Sequence, residues 1–405
     1  MLDDPAELFN TIPGVDETLA ERIDFKQSVN AANWRTPGEH YQLMPQITRQ
    51  KVDMVVQSDE RMRAALRKDY FPVLQAAGTI DVRQRDERYV KLLQEKRLLP
   101  GHVFAADGTL VRYETLSMVG AQIAVSRIGY QGSTGQFVSN IVHWGQEVGR
   151  SVKIEDLLQA LRSRGKNMKQ NFNTMLLQTI MAYKEREILL ELGPQVFKLI
   201  QGPLFPYEML VGGGQANTLK MCLDLLGQLI DDGAYTTIVS SSTNRDLLVL
   251  GMALEPGEYA VLRDGTDILK TFLSNANFTH ISEPDYGDKS EIKLFEEFTD
   301  DYGSRVVEGV LRAHHMSRPY VFYCNKDKLD KAAHMLFADA AHTGPRGFPL
   351  LIDLADQYCS GSFKASEYTA YMNAEFARAS GGSTSLWCEM EVVSSLHKPM
   401  AFCQN

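Results

Sequence analysis

Four short stretches of this sequence hold oxygen donors that a fold could gather. Asp107 follows the apolar run Val103 to Ala106 and precedes Gly108, so its carboxylate projects where a short strand would end. Glu185 and Glu187 lie late in AYKEREILLEL, a helical pattern that stops at Gly193-Pro194. Gln201-Gly202-Pro203 follows the apolar FKLI and repeats the arrangement at Asp107: apolar strand, polar residue, glycine. Asp353 and Asp356, in GFPLLIDLADQY, share one helical face. Two such strand ends side by side would converge on one point, and a helical carboxylate facing them would complete an oxygen cluster. Such clusters suit hard cations such as Mg2+ and Mn2+. Two ions about 3.5–4 Å apart can activate a water and neutralise a leaving phosphate oxygen. Each stretch also has a plain structural reading: turn residues at 107 and 201, a solvated face for KERE, an acidic helix start at 353 and 356.

Other patterns carry less. Gly212-Gly213-Gly214 precedes a helix without the GK[ST] of a P-loop. The serines from 240 to 242 lack the G-x-S-x-G elbow. His314-His315 has no further ligand at metal-binding spacing. The five cysteines are widely spaced, with no CxxC pair, and read as free buried thiols.

The elements that must position these residues follow from periodicity. Residues 1 to 100 read as a helical arm, with Val52, Val55, Val56, Met62 and Leu66 at helical spacing before Pro72, which is expected to end that helix. From residue 101 to 405 the character changes to a second domain. VFAA, then Val119 to Tyr130, then Gln136 to Trp144 read as three strands of an antiparallel meander, the last two separated by QGSTG. A long helix spans 153 to 192, and Phe197 to Ile200 is a buried strand. Leu219 to Ile230 is a helix, and Thr236 to Ser241 a strand. Tyr259 to Leu262 is another strand, Val306 to Ala313 and Tyr320 to Cys324 pair as a hairpin, and helices close the chain. A meander followed by alternating helix and strand predicts an α/β fold with a mixed sheet.

Composition sets outer bounds. With 44% apolar and 23% charged residues, the 405-residue chain is ordinary globular material. No apolar run approaches the ~20 residues needed to span a bilayer. The acidic start, Met1-Leu2-Asp3-Asp4-Pro5, lacks the pattern of a signal peptide, so a cytoplasmic location is expected. A net charge of −9 requires any nucleic-acid contact to be a local basic track. Arg162, Arg164, Lys166 and Lys169 form one such cluster.

In their order and spacing, VFAADGTL, the helix with KEREILLEL, FKLIQGPLFPYEM and RGFPLLIDLADQY resemble the NurA nucleases, partners of HerA-type DNA translocases. The resemblance runs from about residue 100 to the end and matches the helical arm only loosely. It implies a ribonuclease H-like core, a homodimer, and Mn2+- or Mg2+-dependent cleavage of DNA, as a single-strand endonuclease and a 5′-to-3′ exonuclease in end resection, beside a hexameric ATPase. It also implies roles. Asp107 is similar to the first metal aspartate, Glu185 to the helical glutamate, and Asp356 falls where many members carry a histidine. Gln201 stands where the family usually has aspartate; its carbonyl oxygen can still ligate a hard cation, without charge. A charge lost at 201 and gained at 356 keeps the total. The other outcome is a non-catalytic DNA-end-binding or scaffold subunit.

Between the two glutamates, geometry chooses. Two positions are roughly 200° apart around a helix, so only one can face the site. Glu185 shares a face with Gln178, Ala182 and Leu189, and Glu187 with Lys184 and Glu191. Glu185 is therefore expected to face inward.

Overall fold

The computed structural model describes residues 37–114, 118–131, 135–145, 168–214, 218–241, 245–274 and 289–379. The strands are β1 (Asp81–Gln84), β2 (Val103–Glu114), β3 (Met118–Ile128), β4 (Gln136–Gly145), β5 (Phe197–Gln201), β6 (Tyr235–Val239), β7 (Glu258–Asp264), β8 (Val306–Leu311) and β9 (Tyr320–Asn325). The helices are α1 (Pro37–Ala65), α2 (Phe71–Ala76), α3 (Glu87–Leu93), α4 (Met168–Leu190), α5 (Tyr207–Leu210), α6 (Thr218–Asp232), α7 (Arg245–Met252), α8 (Gly265–Ser274), α9 (Lys289–Tyr302), α10 (Leu329–Ala340), α11 (Leu350–Phe363) and α12 (Ala365–Ala379).

The nine strands found among the described residues join one mixed sheet in the order β1-β7-β8-β9-β6-β5-β2-β3-β4. The expected meander is present: β2, β3 and β4 pair antiparallel in sequence order. β2 then runs parallel to β5, and β5 parallel to β6. The hairpin β8–β9 also forms, with Val306 opposite Asn325. The inner strands β8 and β9 are buried along their whole length, as apolar strands covered on both faces should be. One face carries a core built from Ile188 and Leu189 of α4, Leu226 and Ile230 of α6, and Phe295 and Phe298 of α9. The other packs Leu336 and Phe337 of α10, and Leu351, Ile352 and Ala355 of α11, against Val103, Ala105 and Leu199.

The chain divides into two compact units between Ala64 and Ala65, and two expectations from the sequence, at Pro72 and at Asp107-Gly108, need correction. Residues 65–100 bury Leu66, Phe71, Ile80, Val90, Leu93 and Leu98 and supply the edge strand β1, which no helical periodicity reveals. Pro72 does not close a helix; it sits in the first turn of α2, where a missing N–H costs nothing. Asp107-Gly108 is no turn, because β2 runs through it for 12 residues, with Asp107 opposite Ser126 and Gly108 opposite Val125. Of α1, the described part of the smaller unit, Val52, Val55 and Val56 are exposed.

Helix α11 has no side-chain cap of its own at Pro349. Asp339, wholly buried near the end of α10, takes that role: Leu351 N donates to its Oδ2 at 2.9 Å, and the Tyr130 hydroxyl donates to its Oδ1. Burial pushes the Asp339 carboxyl up to about 6, against hydrogen bonds that lower it. Its folded value therefore lies above the unfolded one, so the native state binds the extra proton. That contribution is complete below about pH 4 and is lost as pH rises through about 6. Asp339→Asn cannot titrate. The stability of the natural chain relative to this variant, measured by urea unfolding, is expected to fall between about pH 4 and 7. A difference that stays flat across that window would contradict the assignment.

Candidate functional site

Alternation along β2 points Asp107 to the α11 face, the same face as its partner Ser126, whose hydroxyl donates to the Ala355 carbonyl of α11 at 2.9 Å. Gly108 faces the other way, towards α4. A Cβ there would stand 2.6 Å from Met181 Cγ and 2.7 Å from Glu185 Oε1. The glycine is thus a point of close approach, which brings a helical carboxylate to the residue beside Asp107. Both acids are buried, each at 3% exposure.

The charged run of α4 splits by face. Glu187 turns outward and pairs with Lys184 at 2.6 Å, both partly exposed. Glu185 turns inward with Arg186, whose Nη1 lies 3.8 Å from Glu185 Oε2. The buried Arg186 donates to Ala182 O at 2.9 Å and to Pro203 O at 2.7 Å. Burial draws its guanidinium below its ordinary value. It ties α4 to the loop after β5, two residues past Gln201. Ala106 and Ile200 are register partners in the parallel pair, so Asp107 and Gln201 occupy neighbouring strand positions. Gln201 Nε2 donates to Ser240 Oγ at 3.3 Å.

Asp356 is half-buried on α11, between Ala355 and Cys359. Cys359 lies three residues further along the helix and is buried. Burial pushes its thiol up to about 12, and the charges of Asp107, Glu185 and Asp356 add to the rise, while Ser126 opposes it. Asp353, one turn earlier, is instead held by Arg346. Among the described residues, no three His, Cys, Asp or Glu side chains are grouped tightly enough to enclose an ion. Asp107 and Glu185 approach β2 from opposite faces.

Of the basic cluster, Arg162, Arg164 and Lys166 lie outside the described residues, and Lys169 falls in α4 with its side chain outside them. Sequence reasoning missed Ser126, Arg186 and Cys359. Cys359 was within reach, since it lies three residues after Asp356 on the same helical face. Ser126 becomes visible only once β2 continues past Asp107, and Arg186 sat inside a run that looked solvated.

Solved structures of NurA are similar to this chain. One, described as the crystal structure of NurA, has a TM-score of 0.46 and 10% identity, over 81% of this chain and 97% of its own. The NurA nuclease from Sulfolobus solfataricus has a TM-score of 0.35 and 12% identity, over 72% and 92%. NurA bound to dAMP and manganese has a TM-score of 0.42 and 11% identity, over 82% and 97%. No protein-family model and no curated protein matches the sequence. No helix among the described residues is long and apolar enough to cross a membrane.

The Gly108 contact can be tested by itself. Gly108→Ala is expected to destabilise the protein by about 1–3 kcal/mol, since the new methyl group must displace Met181 and Glu185. Met181→Ala should relieve part of that loss in a double variant, as read by urea unfolding. A Gly108→Ala chain as stable as the natural one would rule out the close approach.

Proposed function

We propose that this chain is a divalent-metal-dependent nuclease acting on DNA. The observation that carries the reading is the close approach at Gly108, which brings the buried Glu185 to the strand residue beside the buried Asp107, with Gln201 at the neighbouring strand position. The strand order β4-β3-β2-β5-β6, a meander followed by two parallel strands, supports a ribonuclease H-like core. Asp107 and Glu185 would hold Mn2+ or Mg2+, with Asp356 and the Gln201 carbonyl oxygen at the rim. Such an ion, when bound, supplies an activated water and neutralises charge on the phosphate.

The remaining residues hold the frame. Arg186 fixes the loop after Gln201 against the helix that carries Glu185. Ser126 fixes α11, and with it Asp356, over β2. Cys359 is no nucleophile, because burial and its acidic neighbours keep the thiol protonated. As finer parts of the proposal, the substrate is single-stranded DNA and duplex ends, cut internally and from the 5′ end during end resection in double-strand break repair. The chain acts as a cytoplasmic homodimer beside a HerA-type hexameric ATPase, with Arg162, Arg164, Lys166 and Lys169 lining the DNA path.

A labelled single-stranded oligonucleotide is expected to be cut in Mn2+ and spared in EDTA. Asp107→Asn and Glu185→Gln should each lower kcat/KM by more than about a hundredfold, since even groups behind a metal ligand are worth 10–100-fold. Glu187→Ala, which loses only an exposed pair, should stay within about twofold. Asp356→Asn should be severe and Gln201→Asp modest, if charge at 356 offsets the neutral residue at 201. Full activity of a folded Asp107→Asn chain would refute the site. Tight DNA binding by the natural chain with no cleavage in any metal would favour a DNA-end-binding subunit, the reading suggested by the uncharged Gln201.

The basic cluster makes a separate prediction. Charge reversal at Arg162, Arg164, Lys166 and Lys169 together should weaken DNA binding at low salt and flatten its salt dependence. Unchanged binding there would remove the cluster from the DNA path.

A further inference from the structure

The serine run from 240 to 242 has no part in the site so far, yet its first member lies beside it. β2, β5 and β6 are adjacent and parallel, with Ala106 opposite Ile200 and Gln201 opposite Ile238. One step beyond Ala106 and Ile200 stand Asp107 and Gln201; two steps beyond Ile238 stands Ser240. Period-two alternation turns all of these to one face, that of Ser126 and α11. They line the carboxyl end of β5 and β6, where open α/β sheets bind ligands.

We infer that Ser240 is a substrate-binding residue whose hydroxyl, oriented by Gln201, donates to a phosphodiester oxygen of the bound strand. Gln201 Nε2 lies 3.3 Å from Ser240 Oγ and donates to it. An amide N–H can only donate, so it occupies a lone pair of the hydroxyl and turns the hydroxyl proton elsewhere. Ser240 is partly exposed at the strand's open end, so the proton is presented to whatever lies over the site. A neutral hydroxyl donor, two strands from Asp107 and on its face of the sheet, suits an anionic oxygen rather than a cation. A lysine in its place would oppose a metal ion; a neutral hydroxyl does not. Such a contact reads backbone, not base, and is independent of sequence.

The same geometry gives Gln201 a purpose. A glutamate at 201, with the same reach as the glutamine, would accept the Ser240 proton, turning the donor inward and placing negative charge beside the phosphate; the shorter aspartate would not reach it. The amide keeps the donor outward, while its Oε1 remains on the opposite corner of the group.

The inference rests on the nuclease reading for the identity of the ligand, and two readouts separate them. Binding of a fluorescein-labelled oligodeoxythymidylate is measured by anisotropy in EDTA, and cleavage kinetics in Mn2+. Ser240→Ala is expected to weaken binding about tenfold or more, as befits a lost hydrogen bond to a charged group. KM should rise by a similar factor with kcat unchanged, because the contact exists before and during cleavage. Ser240→Thr should restore both values. Gln201→Glu should weaken binding although Ser240 is present. If the natural chain cleaves and Ser240→Ala matches it within about twofold in both readouts, the inference is overturned and the nuclease reading stands. If Ser240→Ala and Ser240→Thr lose binding equally, Ser240 is structural and the inference is likewise overturned. If the natural chain binds without cleaving and only Ser240→Ala and Gln201→Glu weaken it, the nuclease reading falls and the inference holds. Absence of binding by the natural chain overturns both.

Discussion

Where α4 crosses β2, Gly108 has no Cβ, and the Met181 and Glu185 side chains occupy the space one would take. Strand and helix approach more closely there than any other residue would allow, since packed interiors leave no slack for an added methyl group. The consequence is chemical. A carboxylate on a helix is brought to the backbone position next to a carboxylate on a strand, and the two enter the site from opposite faces of the sheet.

Two buried acids side by side repel each other unless their surroundings are arranged to hold them. Arg186 contributes part of this, from within the same helix and at 3.8 Å from Glu185. It is held mainly by carbonyl oxygens, those of Ala182 and Pro203, so its charge is not spent in one tight ion pair. Asp107 and Glu185 are thus buried close together beside a buried guanidinium.

The third acid depends on a chain of contacts outside the site. Asp339 caps the start of α11 through Leu351 N, and Ser126 holds the Ala355 carbonyl midway along it. Asp356 follows Ala355 directly, so its placement over β2 is decided by a buried carboxylate on α10 and a hydroxyl on β3. Neither is near Asp356 in sequence. The site is therefore a property of the whole nine-stranded sheet and of helices on both its faces.

The order of elements was legible from residues alone, because hydrophobic periodicity and turn residues are local signals. The meander, the buried strand FKLI, the hairpin and the inward turn of Glu185 over Glu187 all follow from periods of two and 3.6. The candidate site residues were picked out from the sequence as oxygen donors following apolar runs or lying on helices. What the sequence could not decide was whether Asp107-Gly108 ends a strand or lies within one, since the same dipeptide serves both and only the pairing with Ser126 and Val125 chooses. Nor could it place β1 at the far edge, where four residues owe their conformation to hydrogen bonds with β7. Ser240, Arg186 and Cys359 gain meaning only from partners distant along the chain. Periodicity fixes which way a side chain turns from its own element; which other side chain it meets is set by packing between elements, and that exists only in the folded protein.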